Sequence, residues 1–505
     1  MAMNKQQVLE FVIDSVRRLH INEIVGMYVK LIWKGSHFHG LCPFHNDHKM
    51  GSFVVSPKKN IFKCFSCGEG GDGISFVAKL EGINYVASAF KIALDFGIIS
   101  NKEYEEYYKK RRYSKKEVSN IEKKYQELDK EKFESNIAEP AILDKVFNIF
   151  LDMCELSDSH KEHLLKVRNL TEEQIEEKRY KTFPSRYIIR KFIKRIREEF
   201  GSEEVLENIP GFYQEEKKVP VKKDGEDVLD KEGNKIYEYV WLWTFAKHSG
   251  IIIPIKNAFG QIIGLQIRRD EEEEDKSRYV WFSSSFASFS DEKYKKGTSS
   301  GSPIDVVYPK EIRNQAIFIT EGRFKAEKIA ETYNSIAISV QGVGTWKGIL
   351  NTIEDIVNSP ITKELSIGSK YEVEIVYLAF DADLNYKPQV WQQAKKMSSH
   401  LQQGNYPIYY LNWNEDLGKG IDDLLIAGHL NKIQKYDKEK WDKRYEFIID
   451  TVLEETGIPR IQDVSSDIFK EYFHKYMNIT PLKRGEISEK HKEIQDMKRR
   501  EMKAI

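Results

Sequence analysis

Cys42-Pro43-Phe44-His45 and, further on, Cys64-Phe65-Ser66-Cys67 are two short chelating turns of the kind that close around one tetrahedral zinc ion. Four ready ligands leave no open coordination position, so the spacing predicts a structural site rather than a catalytic one. His45 is the preferred fourth ligand, with His48, His37 and His39 near enough in sequence to stand in for it. A second group, Glu321, Asp381, Asp383 and Asp422, consists of carboxylates placed where hydrophobic strands are predicted to end. Sparse carboxylates of this sort suit Mg²⁺ or Mn²⁺, which take one or two protein oxygens and leave room for water and phosphate. The two blocks together point to a nucleic-acid partner.

Each block needs elements to hold it. SFVVS and NIFKCF are strand-like and are separated by Pro57-Lys58-Lys59-Asn60, which predicts a hairpin bringing the two chelating turns together. Lys58, Lys59 and Lys63, with Phe53, Phe62 and Phe65, mix cations and rings. That mixture suits the phosphates and bases of a single strand, and the rings equally suit the core of a small ribbon. From residue 316 onward, apolar strands alternate with helical stretches: AIFIT, FKAEKIAETY, SIAISV, GILNTIEDIV, VEIVYLAF, VWQQAKKMSSHLQ, IYYLNW and DDLLIAGHL. This order predicts a parallel sheet with helices on its faces. VWLWTF, GIIIPIKN and QIIGLQIRR read as strands of an earlier subdomain, the last two joined through a turn at Asn257 to Gly260.

The 505 residues are enough for about three domains. Lys+Arg and Asp+Glu both number 79, so any attraction to nucleic acid must come from local basic patches. No apolar run approaches a membrane span and the first thirty residues read as amphipathic helix, giving the expectation of a cytoplasmic protein with no membrane partner. The four cysteines do not form a disulfide framework; Cys154 lies alone in an apolar stretch and reads as a buried thiol. No G-x4-GK[ST] occurs, so any helicase partner is expected to be a separate chain.

The motifs carry a resemblance. LCPFHND, SFVVSP and FKCFSCGEGGDGISFV are similar to the zinc-binding domain of DnaG-type primases. GIIIPIKNAFGQIIGLQIRR resembles a stretch of the primase core in which Arg268 matches a basic residue by position, and RYVWFSSS with KKGTSSGSP resembles the segment closing the same subdomain. ITEGRFKAEKIA and VYLAFDADLNY resemble the glutamate and Asp-x-Asp motifs of a TOPRIM domain, and LNWNEDLGKGIDDLL its later acidic motif. Lys325 and Gly420 stand where chromosomal primases carry acids; this departure resembles the primase-like proteins of phages, plasmids and integrative elements.

The resemblance implies a multidomain α/β protein: a zinc ribbon (1–100), a charged helical linker (101–138), a mixed α+β basic subdomain (139–312), a TOPRIM domain (313–430) and a charged helical tail (431–505). It implies a primase making RNA primers on single-stranded DNA from ribonucleoside triphosphates, with one structural zinc and one or two catalytic Mg²⁺ or Mn²⁺ ions. Glu321, Asp381, Asp383 and Asp422 would hold the catalytic metal, while Arg268, Arg269, Arg278, Lys295, Lys296 and Lys325 would face template and triphosphate. Two other classes fit parts of the pattern: a TOPRIM nuclease or topoisomerase-like enzyme, and a non-catalytic accessory protein that binds single strands.

Overall fold

The computed structural model describes residues 4–34, 37–44, 52–64, 69–133, 137–223, 226–270, 277–288, 293–341, 346, 348–368 and 370–477. The chain divides into two compact units, Met1–Asn136 and Ile137–Ile505.

In the first unit the helix Lys5–Arg17 starts on a capping box at Asn4 and buries Val8, Leu9, Val12, Ile13 and Val16 along one stripe. Five short strands form an antiparallel sheet, and the predicted hairpin is present as Phe53–Ser56 paired with Ile61–Cys64. Helices Gly73–Glu81 and Tyr85–Asp95 complete the core. The stretch expected as a linker is helical through most of residues 101–133, yet it packs on this unit instead of tethering it. Ile121 and Tyr125 are buried, the Tyr125 hydroxyl donates to Asp14 at 2.6 Å, and Lys5 and Lys124 pair with Glu117 and Glu10. Two apolar residues four apart make a stripe too narrow to register in a composition dominated by charge.

The second unit holds the remaining sheets. Helices Pro140–Asp152 and Ile189–Phe200 cover a core built on Phe150, Phe192, Phe212, Phe245 and Phe282. Against it lie a four-stranded antiparallel sheet centred on Gly250–Lys256 and Ile262–Arg269, and a long ribbon of Phe212–Pro220 with Tyr237–Phe245, edged by Tyr294–Lys295. The alternating C-terminal pattern folds as a six-stranded sheet. Its central strands Ile336–Ser339, Ala316–Thr320, Ile375–Leu378 and Ile408–Asn412 run parallel in that spatial order, as expected.

Both boundaries of that sheet domain shift outward. Asp305–Val307 adds an antiparallel strand at one edge, and Gln434–Asp437 adds another at the opposite edge. Helix Lys438–Thr456 then buries Trp441, Tyr445, Ile448 and Val452, with Tyr445 stacked on Trp391 at 4.4 Å. Residues 431–477 are therefore part of the domain and not a solvated tail; their apolar stripe is interrupted by enough Lys, Glu and Asp to read as charged surface. Among the described residues no helix is long and apolar enough to cross a membrane.

Candidate functional site

The acidic residues gather where the sheet topology opens a crevice. Strand Ala316–Thr320 is followed in sequence by its neighbour on one side, Ile336–Ser339, and later by its neighbour on the other, Ile375–Leu378. The carboxyl ends of Ala316–Thr320 and Ile375–Leu378 thus flank a topological switch point, the place where open α/β sheets bind ligands. Glu321 follows the first strand directly. Gly322, at φ +85° in the left-handed region, makes the sharp turn into helix Arg323–Tyr333. Asp381 lies three residues past the other strand. The Thr320 hydroxyl donates to the Ala379 carbonyl at 2.7 Å, and the Ala379 amide to the Ile319 carbonyl at 2.8 Å, which locks the two loops together. The Ala382 amide donates to the Lys419 carbonyl at 2.8 Å, fixing the segment that leads to Asp422 on helix Ile421–Ala427.

The charges are interleaved with lysines. Burial, then the adjacent Asp381 and Asp383 carboxylates, push the Glu321 carboxyl up to about 7, with Lys325 and Lys419 pulling the other way. Lys325 pairs with Asp381, Lys419 lies 3.6 Å from the other Asp381 oxygen, and Lys387 pairs with Asp383 at 2.8 Å. Burial works against the Lys325 ammonium, but Asp381, Asp422 and Glu321 outweigh it and hold its pKa above the usual lysine range. Gly420 shows how the lysine is accommodated. A Cβ there would lie 2.3 Å from Asp422 Oδ1 and 2.9 Å from Lys325 Cε, so a side chain at 420 would collide with the space these two already fill.

All four predicted carboxylates therefore reach one sheet edge. Among the described residues, however, no three acidic, histidine or cysteine side chains converge on a single point. The donor set fits a cation held by one or two carboxylates with phosphate and water completing its shell, which is the ordinary habit of Mg²⁺. Asp422 also lines a cleft with Arg168, Lys178, Phe324 and Lys328.

Behind Glu321 is a buried ionic cluster that sequence reasoning missed. Arg323 donates to Glu327 at 2.8 Å and to Asp305 at 2.7 Å, and Tyr180 donates to Glu327 at 2.7 Å. Asp305 also accepts from the Lys256 amide at 2.9 Å, so the cluster joins the helix after Glu321 to the edge strand and to the antiparallel sheet. Burial pushes the Asp305 carboxyl up to about 6 against the pull of Arg323. Burial would also raise Glu327, but Lys178 and Arg323 hold it below the usual range. The i,i+4 spacing of Arg323 and Glu327 was the available signal; Asp305 and Tyr180 left none.

Removing Arg323 leaves the buried Asp305 carboxylate without its cation and Glu327 with Lys178 alone. Arg323→Met is expected to cost the second unit about 3–5 kcal/mol, and adding Asp305→Asn with Glu327→Gln should recover much of it. Urea titration measures both; a single variant as stable as the wild type would contradict the assignment.

The predicted basic residues are dispersed. Arg268 is buried in strand Ile262–Arg269, opposite Ile251 and Tyr279; Arg269 and Arg278 share a backbone hydrogen bond at that sheet's end. Lys295 lies over the Trp241 ring, while Lys296 pairs with Glu204 and Glu207.

In the first unit Cys42 and Cys64 are both buried thiols. Gly40 pairs with Phe53, which pairs with Cys64, so Cys42, two residues past Gly40, emerges at the same end of the sheet. His37 opens the strand His37–Gly40, at the end away from Cys42. His45, His48, Cys67 and Phe65 lie outside the described residues. Two buried thiols at one sheet end fit half of a tetrahedral zinc site. Phe53 and Phe62 are fully buried and pack on Phe76, so these two rings are core and not a surface for bases. Lys58 is exposed; Lys59 and Lys63 are half-buried.

Comparison with known proteins divides the chain along the same lines. Residues 6–108 match the CHC2 zinc finger family, and residues 308–431 match a domain of unknown function (DUF3854). The DNA primase of Geobacillus stearothermophilus is 42% identical over 93 residues, which are 18% of this chain and 15% of that protein; the DNA primase of Listeria monocytogenes is 47% identical over 88 residues, 17% and 14%. The matched stretch is thus a small part of each relative. Among solved structures, the Aquifex aeolicus primase (zinc binding and RNA polymerase domains) aligns over 93% of this chain and 97% of its own, at 20% identity and a TM-score of 0.34. The RNA polymerase domain of Mycobacterium tuberculosis primase DnaG aligns over 68% and 99%, at 12% and 0.38. Scores this low do not by themselves establish a common fold. A zinc-finger domain joined to an acid-bearing α/β sheet defines the class of protein. Within that class, residues 6–108 match the CHC2 zinc fingers, and the similarity to the Geobacillus stearothermophilus DNA primase covers 18% of this chain.

Proposed function

We propose that this protein is a DNA primase that synthesises short RNA primers on a single-stranded DNA template. The observation that carries the reading is the seating of Glu321 and Asp381 on either side of the sheet's switch point, in a chain that also bears a primase-type zinc finger. A divalent cation held by Glu321 and Asp381, with Asp383 and Asp422 close by, would acidify the attacking 3′ hydroxyl and neutralise charge on the phosphoryl oxygens. Around it Lys325 screens Asp381 and limits the carboxylates' repulsion of an incoming triphosphate. Arg168 and Lys328, in the cleft beside Asp422, are suited to its outer phosphates. Arg268, Arg269, Arg278, Lys295 and Lys296 remain the proposed template and triphosphate contacts, and Cys42, His45, Cys64 and Cys67 the proposed zinc ligands.

The domain with Lys325 and Gly420 is read as a TOPRIM domain of the mobile-element kind. On that reading the protein serves replication of a phage, plasmid or integrative element, in the cytoplasm, beside a helicase carried on another chain. One observation favours a second reading: Asp381 and Asp383 are already paired with lysines, as in an accessory protein that has lost its metal.

Incubation with single-stranded templates, labelled ribonucleotides and Mg²⁺ or Mn²⁺ decides between them. Short template-dependent oligonucleotides are expected. Template cleavage would transfer the assignment to a nuclease, and inactivity with every template and metal would transfer it to the accessory role.

A further inference from the structure

The ribbon of Phe212–Pro220 and Tyr237–Phe245 carries a feature that the acidic site does not use. Alternate side chains of a strand share a face, so Tyr237, Tyr239, Trp241 and Trp243 form one row. Their cross-strand partners, Pro220, Lys218, Glu216 and Gln214, lie on the same face, and the edge strand sets Lys295 beside Gln214. The row leaves the core as it runs from the ribbon's foot: Trp243 is 7% exposed and Trp241 half-buried, while Tyr239 and Tyr237 are exposed, at 66% and 48%. Lys218 lies 4.8 Å from the centre of the Tyr237 ring and Lys295 4.1 Å from that of Trp241. Neither ammonium has a carboxylate partner among the described residues, in contrast to Lys296.

Trp243 is part of the core, but Tyr237, Tyr239 and Trp241 belong to no buried cluster among the described residues, and leaving such rings in water is unfavourable unless something covers them. The spacing indicates what does. Two residues of strand advance ~6.7 Å, about twice the 3.4 Å rise of one stacked nucleotide. Each ring therefore meets one base of an extended, unstacked strand, whereas a duplex offers its bases to no flat surface. The two lysines, bound only to rings, are available to phosphates, and Glu216 is the one carboxylate in the row to oppose them.

We propose that this face is a platform for single-stranded nucleic acid, with bases stacked on Tyr237, Tyr239 and Trp241 and with Lys218 and Lys295 against the backbone. It deepens the primase reading by giving the template a track outside the acidic crevice, but its test is binding and needs no synthesis. Fluorescence anisotropy of the full chain with labelled oligo(dT) and with a hairpin duplex measures it. The double variant Tyr237→Ala/Tyr239→Ala is expected to weaken oligo(dT) binding by roughly tenfold or more and to leave duplex binding unchanged, while Tyr237→Phe/Tyr239→Phe retains it. Lys218→Ala/Lys295→Ala should reduce the slope of log affinity against log salt by about 1.4, at ~0.7 per phosphate contact on a single strand.

Unchanged oligo(dT) affinity in the double alanine variant overturns the platform, as does an equal loss on the duplex. A wild-type protein that makes no primers yet loses single-strand affinity with these rings keeps the platform and sinks the polymerase. The converse result, normal synthesis with affinity indifferent to the rings, sinks only the platform.

Discussion

Asp381→Asn is expected to abolish primer synthesis and to leave single-strand binding intact or slightly tighter. The carboxylate sits between the ends of the two strands that open the crevice, and the loops bearing it and Glu321 are tied by the Thr320 and Ala379 hydrogen bonds. A metal clamp on a transferring phosphoryl group is worth several kcal/mol of transition-state stabilisation, and each 1.36 kcal/mol is tenfold in rate. A fall of about three decades follows from losing one ligand of a sparsely held ion. The amide is nearly isosteric and the residue is only partly buried, so the fold should be unaffected. Binding moves the other way because a negative charge facing phosphates has been removed, and because Lys325 loses its carboxylate partner and gains freedom to meet them. Glu321→Gln should reproduce the effect. Primer extension on a single-stranded template, with affinity measured in parallel, separates the two activities; synthesis at the wild-type rate in Asp381→Asn would remove this residue from the site.

How much of this was legible in the sequence depended on what each residue answers to. The parallel strands were readable because AIFIT, SIAISV and VEIVYLAF are nearly unbroken apolar runs, as strands covered on both faces must be. With the strands placed, Glu321 and Asp381 followed, since a carboxylate just past a parallel strand reaches the carboxyl edge whatever surrounds it. What the pattern could not convey was the company those carboxylates keep. The pairing of Lys325 with Asp381 depends on a helix turning back at Gly322, and on Gly420 leaving room for the lysine's end; each is a tertiary fact carried by a residue that looks ordinary in sequence. The segments expected as a charged linker (101–138) and a charged tail (431–505) each hold, in their described parts 101–133 and 431–477, a narrow apolar stripe, Ile121 with Tyr125 and Trp441 with Tyr445, Ile448 and Val452, set among enough charges to dominate any average. For Phe53 and Phe62 two roles were legible and the structure chose between them. They were open to a surface role or to the core of the ribbon, and both are buried against Phe76 in the first unit's core.

The second large effect is on the first unit, which is expected to unfold when zinc is removed while the second unit stays folded. All the buried residues of the first unit's core come from residues 8–125, and those of the other cores from residues 143–477, so each unit has its own source of stability. The first unit's sheet is built from strands of two to four residues, and Cys64 closes one of them at the same end from which Cys42 emerges. Strands so short give little independent stability. Zinc bound to a structural site of this class supplies about 10–16 kcal/mol, comparable with the whole stability of an ordinary domain, about 5–15 kcal/mol. Calorimetry of the full chain should show two transitions, of which a strong chelator removes the first and added Zn²⁺ restores it. Cys64→Ser tests the ligand separately, and metal analysis of that variant should find no bound zinc where the wild type binds one ion per chain. The serine alone would cost only about 1–3 kcal/mol, the penalty of desolvating a buried hydroxyl, so loss of the entire transition is the signature of the metal. A chelated protein that kept both transitions, or a Cys64→Ser variant that kept its zinc, would show that the ribbon stands on its hydrophobic core and that Cys64 is one more buried thiol.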